Sequence, residues 1–197
     1  AVDLAALTAS HGGGPALEIG TRPYLMVMEH PVTTEYDLAG DRIQETLMAI
    51  HELKLPTLWF WPNVDAGSDH ISKRIRMFRE QHAPSCIHFF KNLPPETFYK
   101  ILKRCACFVG SSSVGIRECS FLGVAAVNIG PRQTGRERGP NVIDVPYDRT
   151  RIVGAIARQL ANGSYPSVTL YGNGQAGEKM AARLADVNLT HEKRITY

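Results

Sequence analysis

Cys107-Phe-Val-Gly110-Ser-Ser-Ser-Val-Gly115-Ile-Arg-Glu118-Cys-Ser-Phe-Leu122-Gly-Val-Ala125-Ala-Val-Asn-Ile-Gly130 reads as strand, tight loop, short helix and strand again. Residues 107–110 form a short apolar run of the kind a buried strand carries, and three small hydroxyl residues end it. The spacing predicts a helix over 114–122 with Gly123 as its stop, since glycine tolerates the left-handed turn that closes a helix. Residues 125–130 are the next apolar run. A strand–helix–strand unit of this length is a crossover between parallel strands.

The same rhythm extends both ways. Upstream, 24–30, 56–61 (stopped by Pro62) and 86–90 read as strands. Between them, 41–53 places Ile43, Leu47 and Ile50 at helical spacing, and 68–81 does so with Ile71, Ile75 and Phe78. Pro94-Pro95 opens a further helix, as proline can in a first turn, and Phe98, Ile101, Leu102 and Cys105 line its buried side. Downstream, 141–145 reads as a strand, and helices are predicted at about 149–161 and 176–187. Strands separated by single helices, and nearly continuous in apolar residues, imply a parallel sheet covered on both faces. The expected class is α/β, a doubly wound, mainly parallel, Rossmann-like sheet. Such sheets bind ligands outside the carboxyl ends of their strands, so the loops after residues 30, 62, 110 and 130 are where chemistry should lie.

Composition fits one such domain: 197 residues, 44% hydrophobic and 21% charged. The net charge of +3 is mild, and the one basic cluster, Lys73-Arg74-Ile75-Arg76, falls in a helical pattern and reads as a solvated face. No nucleic-acid partner is expected. Cys86, Cys105, Cys107 and Cys119 each sit in or beside an apolar run, where cysteine acts as a small buried hydrophobe. Without Cys-x-x-Cys pairs or histidines at ligand spacing, no metal is expected, and unpaired thiols suit a reducing, cytoplasmic setting. No stretch approaches the ~20 apolar residues of a membrane span, and the N-terminus lacks the pattern of a secretory signal. Residues 1–23, with His11-Gly-Gly-Gly14 in their middle, stand outside the rhythm. They read as a linker or as the remnant of an upstream domain, leaving 24–197 as the domain proper.

The loop Gly110-Ser-Ser-Ser-Val-Gly115 offers serine hydroxyls and the unpaired N–H groups of a first helical turn, which together make an anion site. One serine would suffice as a helix cap; three exceed that need. A P-loop would require Lys and Ser/Thr where Ile116 and Arg117 stand, and a nucleophile elbow would require glycine at Val114. Glu118 can complement the helix dipole or accept hydrogen bonds from vicinal ribose hydroxyls. Arg132 lies in Gly130-Pro-Arg-Gln-Thr-Gly-Arg136-Glu-Arg-Gly139, a glycine-punctuated loop whose arginines suit a pyrophosphate. His30, ending the first strand in His30-Pro-Val-Thr-Thr34, is a candidate phosphate donor or general acid. Gly172-Asn-Gly-Gln-Ala-Gly177 has dinucleotide-fingerprint spacing, but no βαβ unit with a ribose-binding acid follows it. It reads as a loop and helix start, and no cofactor is expected.

Four segments carry a family resemblance: His30-Pro-Val-Thr-Thr34, Phe60-Trp-Pro-Asn63-Val-Asp65-Ala-Gly67-Ser68, Gly110 to Glu118, and Asn128-Ile-Gly-Pro-Arg132-Gln-Thr-Gly-Arg136-Glu. From about Tyr24 to the helix after Gly177 the chain resembles the C-terminal half of the hydrolysing UDP-N-acetylglucosamine 2-epimerases of sialic-acid and capsule biosynthesis. The resemblance implies one half of a GT-B-like two-domain architecture with a cleft between the halves. It implies UDP and UDP-N-acetylglucosamine as ligands, and cleavage of the sugar from UDP by elimination across C1–C2, followed by hydration to N-acetylmannosamine. By position, Ser112, Ser113 and Gly115 would hold phosphate, Glu118 the ribose and Arg132 the nucleotide. Asn63 would help line the pocket, and His30 would lie beside the leaving diphosphate.

The carboxylates that handle the C2 proton lie, in that family, in an N-terminal domain that nothing here represents. The chain alone is therefore expected to be inactive and to need that domain, lost by truncation or present as a separate chain; assembly as a homo-oligomer is left open. Two other readings stand beside this one: a UDP- or UDP-sugar-binding module without turnover, and the donor half of a GT-B glycosyltransferase.

Overall fold

A computed structural model describes residues 2–20 and 22–188. Six strands form one sheet: β1 (Leu25–Met28), β2 (Thr57–Phe60), β3 (Ile87–Phe90), β4 (Cys107–Gly110), β5 (Ala126–Ile129) and β6 (Val142–Val145). Their order is β3-β2-β1-β4-β5-β6, with every pairing parallel. Val27 faces Trp59 on one side and Val109 on the other. The chain thus builds outward from β1 in one direction and, after β3, returns to build in the other. The order reverses between β1 and β4, and there the crevice of such sheets opens.

Alternate strand residues feed two cores. Leu25, Val27, Trp59, Ile87, Phe89, Val109 and Val127 pack on one face. That face is covered by α2 (Ala39–Leu53), α3 (Ser68–His82) and α6 (Arg149–Asn162). Met26, Leu58, Phe60, Phe90, Phe108 and Ala126 pack on the other, against α4 (Pro95–Leu102) and α5 (Glu118–Leu122). The apolar residues predicted for the helices are the ones buried: Ile43, Leu47 and Ile50 on α2, Ile71, Ile75 and Phe78 on α3. Each such side chain contributes about 1.5–3 kcal/mol by leaving water. The parallel α/β expectation holds.

Two expectations change. Residues 2–20 are not a loose linker to this domain. Leu4–Ser10 forms a short helix, α1, and Leu4, Leu17 and Ile19 are buried in the second core. Gly13 bridges antiparallel to Phe89, covering the exposed edge of β3. The glycine run serves that approach, since a Cβ on Gly12 would run into the Phe89 carbonyl. The single helix expected at 114–122 is instead a 3₁₀ turn, Ser113–Gly115, followed after a break by the five-residue α5. The last helix, α7 (Ala176–Asp186), starts just after Gly172 and Gly174, takes in Gly177, and leaves Met180 and Leu184 exposed.

Candidate functional site

The reversal point brings together three loops that are far apart in sequence. His30 follows β1, the serine loop follows β4, and Arg132 sits in a 3₁₀ turn, Pro131–Gln133, after β5. Ser111 joins the first two. Its hydroxyl accepts the His30 N–H at 2.9 Å and donates to the His30 carbonyl, also at 2.9 Å. Gln133 Nε2 and, more loosely, Arg132 Nη1 donate to the Ser111 carbonyl at 2.7 and 3.4 Å. Arg132 Nε reaches the Pro31 carbonyl at 3.3 Å, and its Nη2 lies 3.6 Å from Asp65 Oδ2. A cleft of about 310 Å³ opens here, lined by Pro31, Val32 and Thr33 on one wall and Pro131, Arg132, Gln133 and Arg136 on the other.

His30 is buried, and its Nδ1 accepts the Asn63 backbone N–H at 3.2 Å. Nδ1 is therefore unprotonated, and the ring proton belongs on Nε2 as a donor. Burial first, and the Arg132 charge second, push the imidazole down to about 4, against a smaller upward pull from Asp65. The ring is neutral at physiological pH. An anion bound beside it would favour the charged form and draw the value upward.

Of the residues expected here from sequence, His30 and Arg132 are joined through Ser111, and Arg132 lines the crevice itself. Ser112 caps the 3₁₀ turn by accepting from Val114 N–H at 3.4 Å, while Ser113 is half-buried at its start. Gly115 serves packing, because a Cβ there would press on the Phe108 ring at 3.0 Å. Asn63 takes part through its backbone, and its side chain is exposed. Glu118 lines a second, larger cleft of about 510 Å³ with Tyr99, Arg117, Phe121 and Tyr171. Its Oε2 is buried without a hydrogen-bond partner among the described residues. Sequence reasoning missed Ser111, Asp65 and Gln133. Each lies within a quoted motif, yet its work is to join loops, which only the three-dimensional arrangement reveals.

Residues 6–185 match the family described as UDP-N-acetylglucosamine 2-epimerase. The chain belongs to that family. The polysialic acid biosynthesis protein P7 of Escherichia coli is 34% identical over 135 residues, 68% of this chain and 34% of that protein. The hydrolysing UDP-N,N'-diacetylbacillosamine 2-epimerase of Legionella pneumophila is 28% identical over 164 residues, 83% of this chain and 43% of that protein. Among solved structures, the UDP-GlcNAc 2-epimerase of Neisseria meningitidis bound to UDP-GlcNAc superposes with a TM-score of 0.65 at 12% identity. The match covers 84% of this chain and 45% of that one. The chain thus spans less than half the length of these relatives, and the fold it shares with the Neisseria enzyme is one part of that enzyme.

Glu29 stands between the end of β1 and His30. It is buried, its Oε2 has no partner among the described residues, and burial pushes its carboxyl up to about 8, a nearby Thr46 hydroxyl opposing. The folded state keeps a proton that the unfolded chain has lost, so stability falls as pH rises from about 4.5 to about 8. Glu29→Gln is expected to raise the melting temperature by about 5 °C at pH 8 and to change it little at pH 5. Thermal unfolding at both pH values measures this; an equal shift at the two would show that the carboxyl is ionised in the fold.

Proposed function

We propose that this chain is the nucleotide-binding half of a hydrolysing UDP-N-acetylglucosamine 2-epimerase. Its reaction converts UDP-N-acetylglucosamine and water to N-acetylmannosamine and UDP. The observation that carries the reading is the meeting of His30, the serine loop and Arg132 at the reversal point between β1 and β4, where sheets of this order hold ligands.

A diphosphate at this crevice would meet the opening N–H groups of the 3₁₀ turn, the hydroxyls of Ser112 and Ser113, the Arg132 guanidinium and the Nε2–H of His30. Loss of the C2 proton to a base and departure of UDP from C1 leave a glucal. As the C1–O bond breaks, negative charge grows on the phosphate oxygens, and fixed donors aimed at that charge lower the barrier. His30, neutral and carrying its proton on Nε2, would donate that hydrogen bond. Water then adds across the double bond with inverted configuration at C2. The C2 base is expected from an N-terminal half. The longer relatives and the exposed Met180 and Leu184 of α7 support a further half packing on this one.

Glu118, in the larger cleft, would take the ribose hydroxyls of a nucleotide that runs from the crevice past the serine loop, since its buried Oε2 has no partner among the described residues. Titration calorimetry of the chain should show weak binding of UDP and UDP-N-acetylglucosamine and none of NAD. Glu118→Gln should cost UDP about tenfold in affinity and a 2′,3′-dideoxy analogue much less. Equal losses would remove the ribose role, and absence of UDP binding to the unsubstituted chain would sink the reading as a whole. Adding an N-terminal half should restore release of N-acetylmannosamine.

A further inference from the structure

The loop after β5 carries three arginines, and the structure gives them three different situations. Arg138 is engaged by the Asp144 carboxylate, at 3.1 Å from Nε to Oδ2, and it also donates to the Arg136 carbonyl. Arg132 spreads its donors over the Pro31 and Ser111 carbonyls and faces Asp65. Its charge is partly offset, and its geometry is set by the two loops it joins. Arg136 is different. Its backbone is held, with its N–H on the Gln133 carbonyl at 3.2 Å and its own carbonyl taken by Arg138. Its guanidinium makes no ion pair among the described residues, and it lines the 310 Å³ cleft opposite Pro31, Val32 and Thr33.

A guanidinium on an anchored backbone, unpaired and facing a cleft whose other cation is already engaged, is placed to receive a second negatively charged group. We propose that Arg136 is a specificity-determining residue that binds the distal phosphate of a nucleoside diphosphate and so distinguishes it from a monophosphate. Arg132 and the serine loop hold the proximal phosphate, and Arg136 supplies the further charge-assisted contact that only a diphosphate can reach. The assignment rests on the proposed nucleotide site.

The test is titration calorimetry with UDP and UMP on the unsubstituted chain, Arg136→Ala and Arg136→Lys. The unsubstituted chain should prefer UDP. Arg136→Ala should weaken UDP about tenfold or more while leaving UMP within about twofold, and Arg136→Lys should recover part of the loss. Because Arg136 is exposed, its melting temperature should not move. Equal losses for UDP and UMP would reduce Arg136 to a general contributor to positive potential and overturn the assignment, as would unchanged UDP affinity. Those outcomes leave the nucleotide site standing. Failure of the unsubstituted chain to bind either nucleotide would instead bring down the underlying site, and this assignment with it.

Discussion

Gly110→Ala should lower the melting temperature of the chain by about 10 °C or more, or prevent its folding, and should abolish nucleotide binding. Gly110 ends β4 at φ +132°, a backbone region that L side chains rarely adopt. A Cβ there would run into the Met28 carbonyl, with its carbon at 2.7 Å and the Glu29 nitrogen at 3.3 Å. All three are backbone atoms of the neighbouring β1 and its extension, so no side chain can swing aside. Relief requires β1 and β4 to separate where His30 and Ser111 hold one another. The strain and the lost hydrogen bonds add, which is why this substitution exceeds the usual cost of replacing a glycine. Gly154→Ala provides the opposite sign. Gly154 lies inside α6 with nothing within 4 Å of an added Cβ, and alanine there should stabilise by about 0.5–1 kcal/mol. Paired thermal unfolding curves decide it: Gly110→Ala melting with the unsubstituted chain would mean that the two strands can part without cost.

The contrast shows what the sequence made legible and what it did not. The strand at 107–110 was readable because a short apolar run that ends in small hydroxyl residues has few other homes. Helices α2 and α3 were legible for the same reason, their apolar residues recurring at helical spacing. The sheet order follows less directly, since a parallel class permits several orders and only the long-range pairings choose one. The break within 113–122 was invisible because the apolar pattern continues through it: Ile116 and Cys119 are buried on either side of the change from 3₁₀ turn to α-helix. Periodicity reports which face is buried and is silent about the tightness of the winding.

The packing of residues 2–20 was not legible for a related reason. Leu4, Leu17 and Ile19 are too sparse to form a periodic pattern, yet each fills a gap in a core already built by other elements. The site was legible as a set of loop ends and less so as a set of roles. Residue type and position at strand termini pointed to His30, Ser112 and Arg132. The separation of Glu118 into another cleft depends on how α5 is turned after the 3₁₀ break.

Arg132→Ala is the second change with a large expected effect, and it differs from Arg136→Ala in kind. Removing this guanidinium takes partners from the Pro31 and Ser111 carbonyls and leaves the Asp65 carboxylate without its cation. It also deletes the charge proposed to face the proximal phosphate. UDP affinity should fall by at least about a hundredfold, and UMP should suffer the same loss, because both nucleotides carry the phosphate concerned. His30 should respond as well. Arg132 is a cause of its low pKa, so removal should let the imidazole rise from about 4 toward its ordinary range, although burial, the larger cause, remains. A histidine depressed below its unfolded value costs stability as pH falls from about 6.5 to about 4, where the unfolded chain binds the proton that the fold refuses. Relieving part of that depression should make the variant less acid-sensitive than the unsubstituted chain over this window, even though it is less stable at neutral pH. Proton NMR of the His30 ring through a pH titration measures the shift directly, and calorimetry measures the nucleotide loss. If the ring titrates at the same pH in both proteins while UDP still binds, Arg132 faces neither the imidazole nor the phosphate, and the crevice between β1 and β4 does not hold the nucleotide.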